Sequence, residues 1–186
     1  MDRLDFRALW DRALTYAEFV RQSREQCALW TGVYRVARIP AWTVERACQR
    51  GRQVRLLVVA EDWCGDASNT VPYLAKLGDQ ARCLEMRVLR RDEHPDVMDR
   101  YLTGTSRAIP IVIVLDEDWH EVGRWGSRPR ELQAWILEAR RTTPQAQLYP
   151  QIRRWYAHDK GETTLREVLA LLPSREPAGA SARPDQ

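Results

Sequence analysis

Cys64 is the residue of this chain whose position is best suited to chemistry. It stands in Glu61-Asp62-Trp63-Cys64-Gly65-Asp66-Ala67-Ser68, polar and turn-forming surroundings unlike those of a cysteine that serves only as a small buried hydrophobe. The residues before it are an apolar, β-branched run and those after it repeat at helical spacing, so Cys64 falls where a strand hands over to a helix. The first N–H groups of a helix lack internal partners and carry the positive end of its dipole. Such a site favours a thiolate, and helix starts are among the settings that bring a cysteine from about 8.5 down to roughly 3.5–7.5. Asp66 works the other way, because a carboxylate beside the thiol opposes its ionisation, so a smaller depression is expected than at a neutral site. The N–H groups of Asp66 and Ala67 and the hydroxyl of Ser68, one helical turn on, are the expected donors to the thiolate. The alternative role for Asp66 and Ser68 is capping of the helix start. On this reading Cys64 alkylates faster at neutral pH than Cys27, Cys48 and Cys83.

The elements that must position it follow from periodicity. Val54 to Ala60 reads as a strand buried on both faces, and Ala67 to Leu77 as the helix after it. Arg82 to Leu89 alternates as a second strand, which makes a right-handed βαβ unit. Asp96 to Leu102 reads as helix, Thr103 to Ala108 as a loop, Ile111 to Leu115 as another buried strand, Trp119 to Trp125 as a hairpin return closed by Gly126-Ser127, and Arg128 to Arg141 as a helix. Upstream, Leu4 to about Leu29 reads as one long amphipathic helix, Trp30 to Trp42 as irregular, and Val44 to Arg50 as a short helix capped by Thr43 and stopped at Gly51. Downstream, Leu148 to Tyr156 and Thr164 to Leu172 give two helical faces too short to stand alone, so they should pack on the main core. The tail from Pro173, rich in Pro, Ala, Ser and Arg, is expected to be disordered.

Trp63-Cys64-Gly65 after an apolar strand, Pro72 eight residues past the cysteine, and Ile109-Pro110 before another apolar strand together resemble the thioredoxin superfamily. Trp-Cys-Gly-Asp-Ala looks most like a bacterial thioredoxin-like branch with aspartate in the middle of its motif. The resemblance covers roughly residues 53–141. It implies a thioredoxin-like α/β fold, a four-stranded mixed sheet in spatial order 83–89, 54–60, 110–115, 119–125 with helices on both faces, and helical N- and C-terminal extensions. The division implied is 1–52 as N-terminal extension, 53–142 as the thioredoxin-like domain, 143–172 as a C-terminal extension packed on it, and 173–186 as the tail. It also implies a cis Ile109–Pro110 bond and a substrate contact surface made of Trp63, Gly65, Asp66, Ser68, Ile109 and Pro110 around the nucleophile Cys64.

The chain departs from the family's dithiol members in two places. The second cysteine is replaced by Ala67, and the buried aspartate six residues before the first cysteine by Val58. A mixed disulfide at Cys64 therefore has no local thiol to release it. The expected function is monothiol thiol–disulfide exchange on protein or small-molecule disulfides. No cofactor is expected, with glutathione or another low-molecular-weight thiol as co-substrate. Two rivals are a redox-inactive module that holds a peptide by strand addition at the Ile109 edge, and a thiol or iron–sulfur carrier that uses the thiolate as a ligand.

The remaining composition excludes more than it assigns. The 186 residues suit one domain with appendages, and 44% hydrophobic with 30% charged content is that of a water-soluble globular chain. The net charge is +3, and all basic residues but Lys76 and Lys160 are arginines. They are scattered rather than gathered on one face, which argues against nucleic acid as a partner. MDRLDFRALWDRAL has no apolar core of a signal peptide and no run approaches the ~20 residues that cross a bilayer, so the expectation is a cytoplasmic protein with reduced thiols and no membrane contact. Cysteine and histidine spacing (His94, His120, His158) fits no metal site.

Overall fold

The structure, a computed structural model, describes residues 4–49 and 52–172. Val54–Ala60 forms β1, in which Leu56 to Ala60 are wholly buried. A strand buried on both faces has to be paired on both edges. On one side β2 (Leu84–Arg90) runs parallel, with Val54 opposite Leu84 and Ala60 opposite Arg90. On the other β3 (Ile111–Leu115) runs antiparallel, with Leu57 opposite Ile113, and β4 (Glu121–Gly126) returns antiparallel beside it. The order β2-β1-β3-β4 is that of the mixed four-stranded sheet expected. The helix α5 (Gly65–Gln80) crosses from β1 to β2 and buries Val71, Leu74 and Leu77.

The N-terminal third differs from its sequence reading. The single long helix is three: α1 (Phe6–Arg12), α2 (Tyr16–Gln22) and α3 (Cys27–Val36). Helical spacing of apolar residues continues across the breaks because each short helix turns its own apolar side to the core. The breaks have local causes. Leu14 leaves the helix to exchange both backbone hydrogen bonds with Val88 on the β2 edge. Thr15 and Glu18 then make a reciprocal capping box that starts α2. Of the stretch read as irregular, Trp30 to Val36 is the body of α3 and Ala41-Trp42 opens α4, while residues 37–40 are irregular as expected; Trp30 itself is wholly buried. α4 (Ala41–Cys48) begins at Pro40, so Thr43 lies inside it and donates its hydroxyl to Pro40 O instead of capping. The stop assigned to Gly51 and the tail from Pro173 lie outside the described residues.

Beyond β2 the chain makes a 3-10 turn (Arg91–Glu93) and only a four-residue helix, α6 (Pro95–Met98), shorter than the periodicity implied. α7 (Arg130–Ala139) starts two residues later than expected, which leaves Arg128 in the loop after β4. α8 (Gln145–Asp159) sets Tyr156, with Ile152 and Trp155, against Leu132 and Ile136 of α7. α9 (Glu162–Ala170) buries Leu165, Val168 and Leu169 in the same core as the sheet. The sharp turn between α8 and α9 depends on Gly161, whose φ is +78° and where a Cβ would stand 2.3 Å from the Tyr73 ring of α5. No helix among the described residues is long and apolar enough to cross a membrane.

Gly161→Ala should lower stability by about 2 kcal/mol or more, since it meets both a left-handed backbone and the body of the Tyr73 ring. Chemical denaturation reads this directly, and an unchanged midpoint would mean that α9 does not depend on that turn.

Candidate functional site

Cys64 is the N-cap of α5, and its Sγ accepts the Ala67 N–H at 3.4 Å. The thiol donates in turn to Ile109 O at 3.4 Å, and the Ile109–Pro110 peptide is cis. Gly126 of β4 lies against this segment, where a Cβ would stand 2.2 Å from Pro110 O, so only glycine fits. Thus the end of β1, the start of α5 and the loop before β3 meet at one sulfur.

The environment of that sulfur overturns the expected depression of its pKa. Cys64 is only 7% exposed, and burial pushes its thiol from an ordinary value near 9 up to about 11. The N–H groups of Ala67 and Asp66 and the Arg128 guanidinium favour the thiolate, while the Asp66 carboxylate opposes it. These donors offset desolvation in part and do not overcome it. The helix start was legible in the sequence; the depth of the sulfur was not.

Asp66 is neither a cap nor an open contact. Its carboxylate is held by Arg128 Nη2 at 2.6 Å and by the Tyr156 hydroxyl, which donates at 2.8 Å. Burial and the neighbouring carboxylate both raise the Tyr156 pKa, which keeps the phenol a donor. Neither Arg128 nor Tyr156 carried a sequence signal for this. The first reads as the start of a helix, the second as one of several apolar anchors of a terminal helix.

Ser68 does not reach the thiol. It is wholly buried, and its hydroxyl lies within hydrogen-bond distance of Gly65 O and of Gln26 Oε1. Gln26, which the sequence reading missed, sits in the left-handed conformation before α3 and donates its Nε2 to Trp63 O. Trp63 is 38% exposed, with the Arg91 guanidinium 4.6 Å from its ring centre. Asp62 braces the same loop from below: its carboxylate accepts the Arg24 N–H at 2.7 Å, and its carbonyl accepts Trp30 Nε1–H at 2.9 Å. An open cleft of about 470 Å³ over Cys64 is lined by Trp63, Gly65, Asp66 and Ile109 from the expected set, together with Arg128 and Tyr156.

The other cysteines lie elsewhere. Val54 N–H bonds Cys83 O at the start of β1, so the seven residues of β1 at ~3.3 Å each place Cys83 roughly 20 Å from the helix start. The neighbouring thiol of Cys48 raises the Cys83 pKa, and both cysteines are free. Cys27 Sγ donates to Ser23 O. In the β3–β4 turn Asp116, Asp118 and His120 draw their side-chain ligand atoms together, but Asp116 is occupied by the backbone N–H groups of Asp118 and His120.

A sheet of this order, a crossover helix and a cysteine at its start facing a proline loop define a thioredoxin-like domain. The chain belongs to the thioredoxin family, whose model, described as thioredoxin, matches residues 13–144. A protein of unknown function from Pseudomonas aeruginosa, solved at 1.5 Å, is 23% identical with a TM-score of 0.74, and the match covers 91% of this chain and 98% of that one. An HIV epitope-scaffold is 22% identical with a TM-score of 0.71 over the same shares. At these identities the likeness is one of fold. No curated protein matches the chain.

Because the raised thiol stays neutral until the pH approaches 11, Cys64 in the folded protein should alkylate more slowly at pH 7 than Cys27, Cys48 and Cys83, which are all more exposed. Its rate should climb about tenfold per pH unit. The sign for stability follows from the same shift: the part due to this thiol is fully present below about pH 9 and is lost as the pH rises toward 11. Asp66→Asn removes the opposing carboxylate and frees Arg128 to act on the sulfur, so it should speed alkylation at pH 7 by about tenfold for each unit the pKa falls. Site-resolved mass spectrometry checks both; a Cys64 faster than the other three in the unmodified protein would contradict the burial argument.

Proposed function

We propose that the protein is a monothiol thiol–disulfide exchange protein with Cys64 as its nucleophile. The observation that carries this is the placement of Cys64 Sγ between the Ala67 N–H and Ile109 O at the floor of an open cleft. The Cys64 thiolate attacks one sulfur of a disulfide, the old S–S bond breaks, and the leaving thiolate takes up a proton. An external thiolate then attacks the mixed disulfide and restores Cys64. The external thiol becomes half of a new disulfide while the other half of the original one has left as a thiol, so one disulfide is consumed, one is formed and no other redox agent is needed. Ala67 cannot release the intermediate, Cys83 with Cys48 is far away and the Cys27 thiol is turned to Ser23 O, which favours an external second thiol. A low-molecular-weight thiol such as glutathione suits that role, with protein or small-molecule disulfides as partners and a reducing compartment such as the cytoplasm as the setting.

The raised Cys64 pKa sets the character of this exchange. At neutral pH the thiolate is scarce, so turnover is slow unless a bound partner breaks the bond from the thiol to Ile109 O. The same neutral, donor thiol favours a second reading, a redox-inactive peptide-binding module in which Cys64 only stabilises the proline loop.

Incubation with hydroxyethyl disulfide at alkaline pH should give an adduct at Cys64, resolved by site-specific mass spectrometry from those of the other three thiols, absent in Cys64→Ser and removed by added glutathione. A thioredoxin reductase as sole electron source should support little turnover, and Ala67→Cys should raise it. Absence of any Cys64 adduct would leave the peptide-binding reading.

A further inference from the structure

The cleft over Cys64 does not end there. A second cavity of about 840 Å³ adjoins it between α3 and α8, and the two share Gln26, Leu29, Asn69, Arg153 and Tyr156 on their walls. Together they make one groove that runs from the sulfur along the two helices. Its far part is lined by Leu29, Val33, Val36, Tyr73 and Ala157, and Val36 is 64% exposed. Its rim is cationic. Arg38, Arg153 and Lys160 flank the far part and make no ion pair among the described residues, and no acid lines it. Near the sulfur, Arg91 and Arg107 are paired with Asp92 and Asp99. The single acid on the walls among the described residues, Asp66, is already held by Arg128 and Tyr156.

We infer that this groove docks an acidic segment of a partner polypeptide whose apolar residues lie on Leu29, Val33 and Val36, whose carboxylates face Arg38, Arg153 and Lys160, and whose disulfide reaches Cys64. The identification of the partner as a disulfide rests on the proposed function. The commitment to a peptide rather than a small anion rests on length and mixture. The groove extends well past the sulfur, its far floor is apolar, and Arg38 and Lys160 line the far part and not the cleft over Cys64, so a small thiol held at the sulfur would leave them unused. Free rim charges of one sign attract and orient an oppositely charged partner and make the encounter sensitive to salt.

The test uses a fluorescent peptide that alternates acidic and apolar residues and lacks cysteine, read by anisotropy against the Cys64→Ser protein, so that binding is separated from thiol chemistry. The acidic peptide should bind at least tenfold more tightly than its Lys-for-Glu counterpart. That preference should shrink about tenfold in high salt and in the exposed-surface variant Arg38→Glu/Arg153→Glu/Lys160→Glu, whose fold is verified by circular dichroism. Equal affinity for the two peptides, or no effect of the triple variant, would overturn the inference, as would displacement of the peptide by glutathione disulfide at lower concentration. Exchange with neutral hydroxyethyl disulfide is measured alongside on the unmodified protein. Exchange without acidic preference sinks the groove assignment alone, and acidic preference without exchange sinks the thiol chemistry alone.

Discussion

Much of this molecule depends on the burial of β1 and on the two acids that end it. Five residues from Leu56 to Ala60 are fully removed from solvent and paired on both edges. The chain then places Glu61 and Asp62 at the rim of that core, both under a tenth exposed. Buried carboxylates have to find donors. Glu61 accepts the Asp92 N–H at 2.9 Å and faces Arg90 at the end of β2, while burial raises its pKa. Asp62 takes the N–H groups of Arg24 and Glu25 from the link between α2 and α3. The two acids thereby tie both flanks of the site loop to the central strand before Cys64 is reached.

The next acid continues the pattern. Asp66 draws Arg128 from the loop after β4 and Tyr156 from α8 onto the start of α5. Three consecutive acids of the loop therefore recruit the N-terminal helices, the end of β2 and the C-terminal helices around one sulfur. The cost falls on the sulfur itself. The same packing that fixes its surroundings removes water from it, and desolvation outweighs the donors of the helix start. A site designed only to lower a thiol pKa would leave the sulfur wetter or omit Asp66. This one holds a neutral thiol on a carbonyl and faces it with a long cationic groove, features that suit recognition as much as reactivity.

Much of the fold was legible in the sequence because its signals are local. The apolar run of β1, the alternation of β2, the hairpin from Ile111 to Gly126 and the helix after Cys64 follow from periods of two and 3.6 residues, and the sheet order follows from the resemblance those elements support. The N-terminal helix boundaries were not, because periodicity alone does not register that Leu14 pairs with Val88 or that the Thr15 and Glu18 side chains close a cap. Cys64 at a strand–helix handover was likewise written in its neighbours.

What only the tertiary structure decided is the state of that cysteine and the identity of its company. The Cys64 pKa depends on how much water reaches the sulfur, a property of packing between segments far apart in the chain. Gln26, Arg128 and Tyr156 meet the loop across 37, 62 and 90 residues of sequence, and no periodicity encodes such contacts. Ser68 shows the converse: one helical turn from Cys64 in sequence, it turns to Gln26 and Gly65 because the interior offers its hydroxyl acceptors there. Sequence determined where the sulfur sits along the chain; burial determined what that sulfur can do.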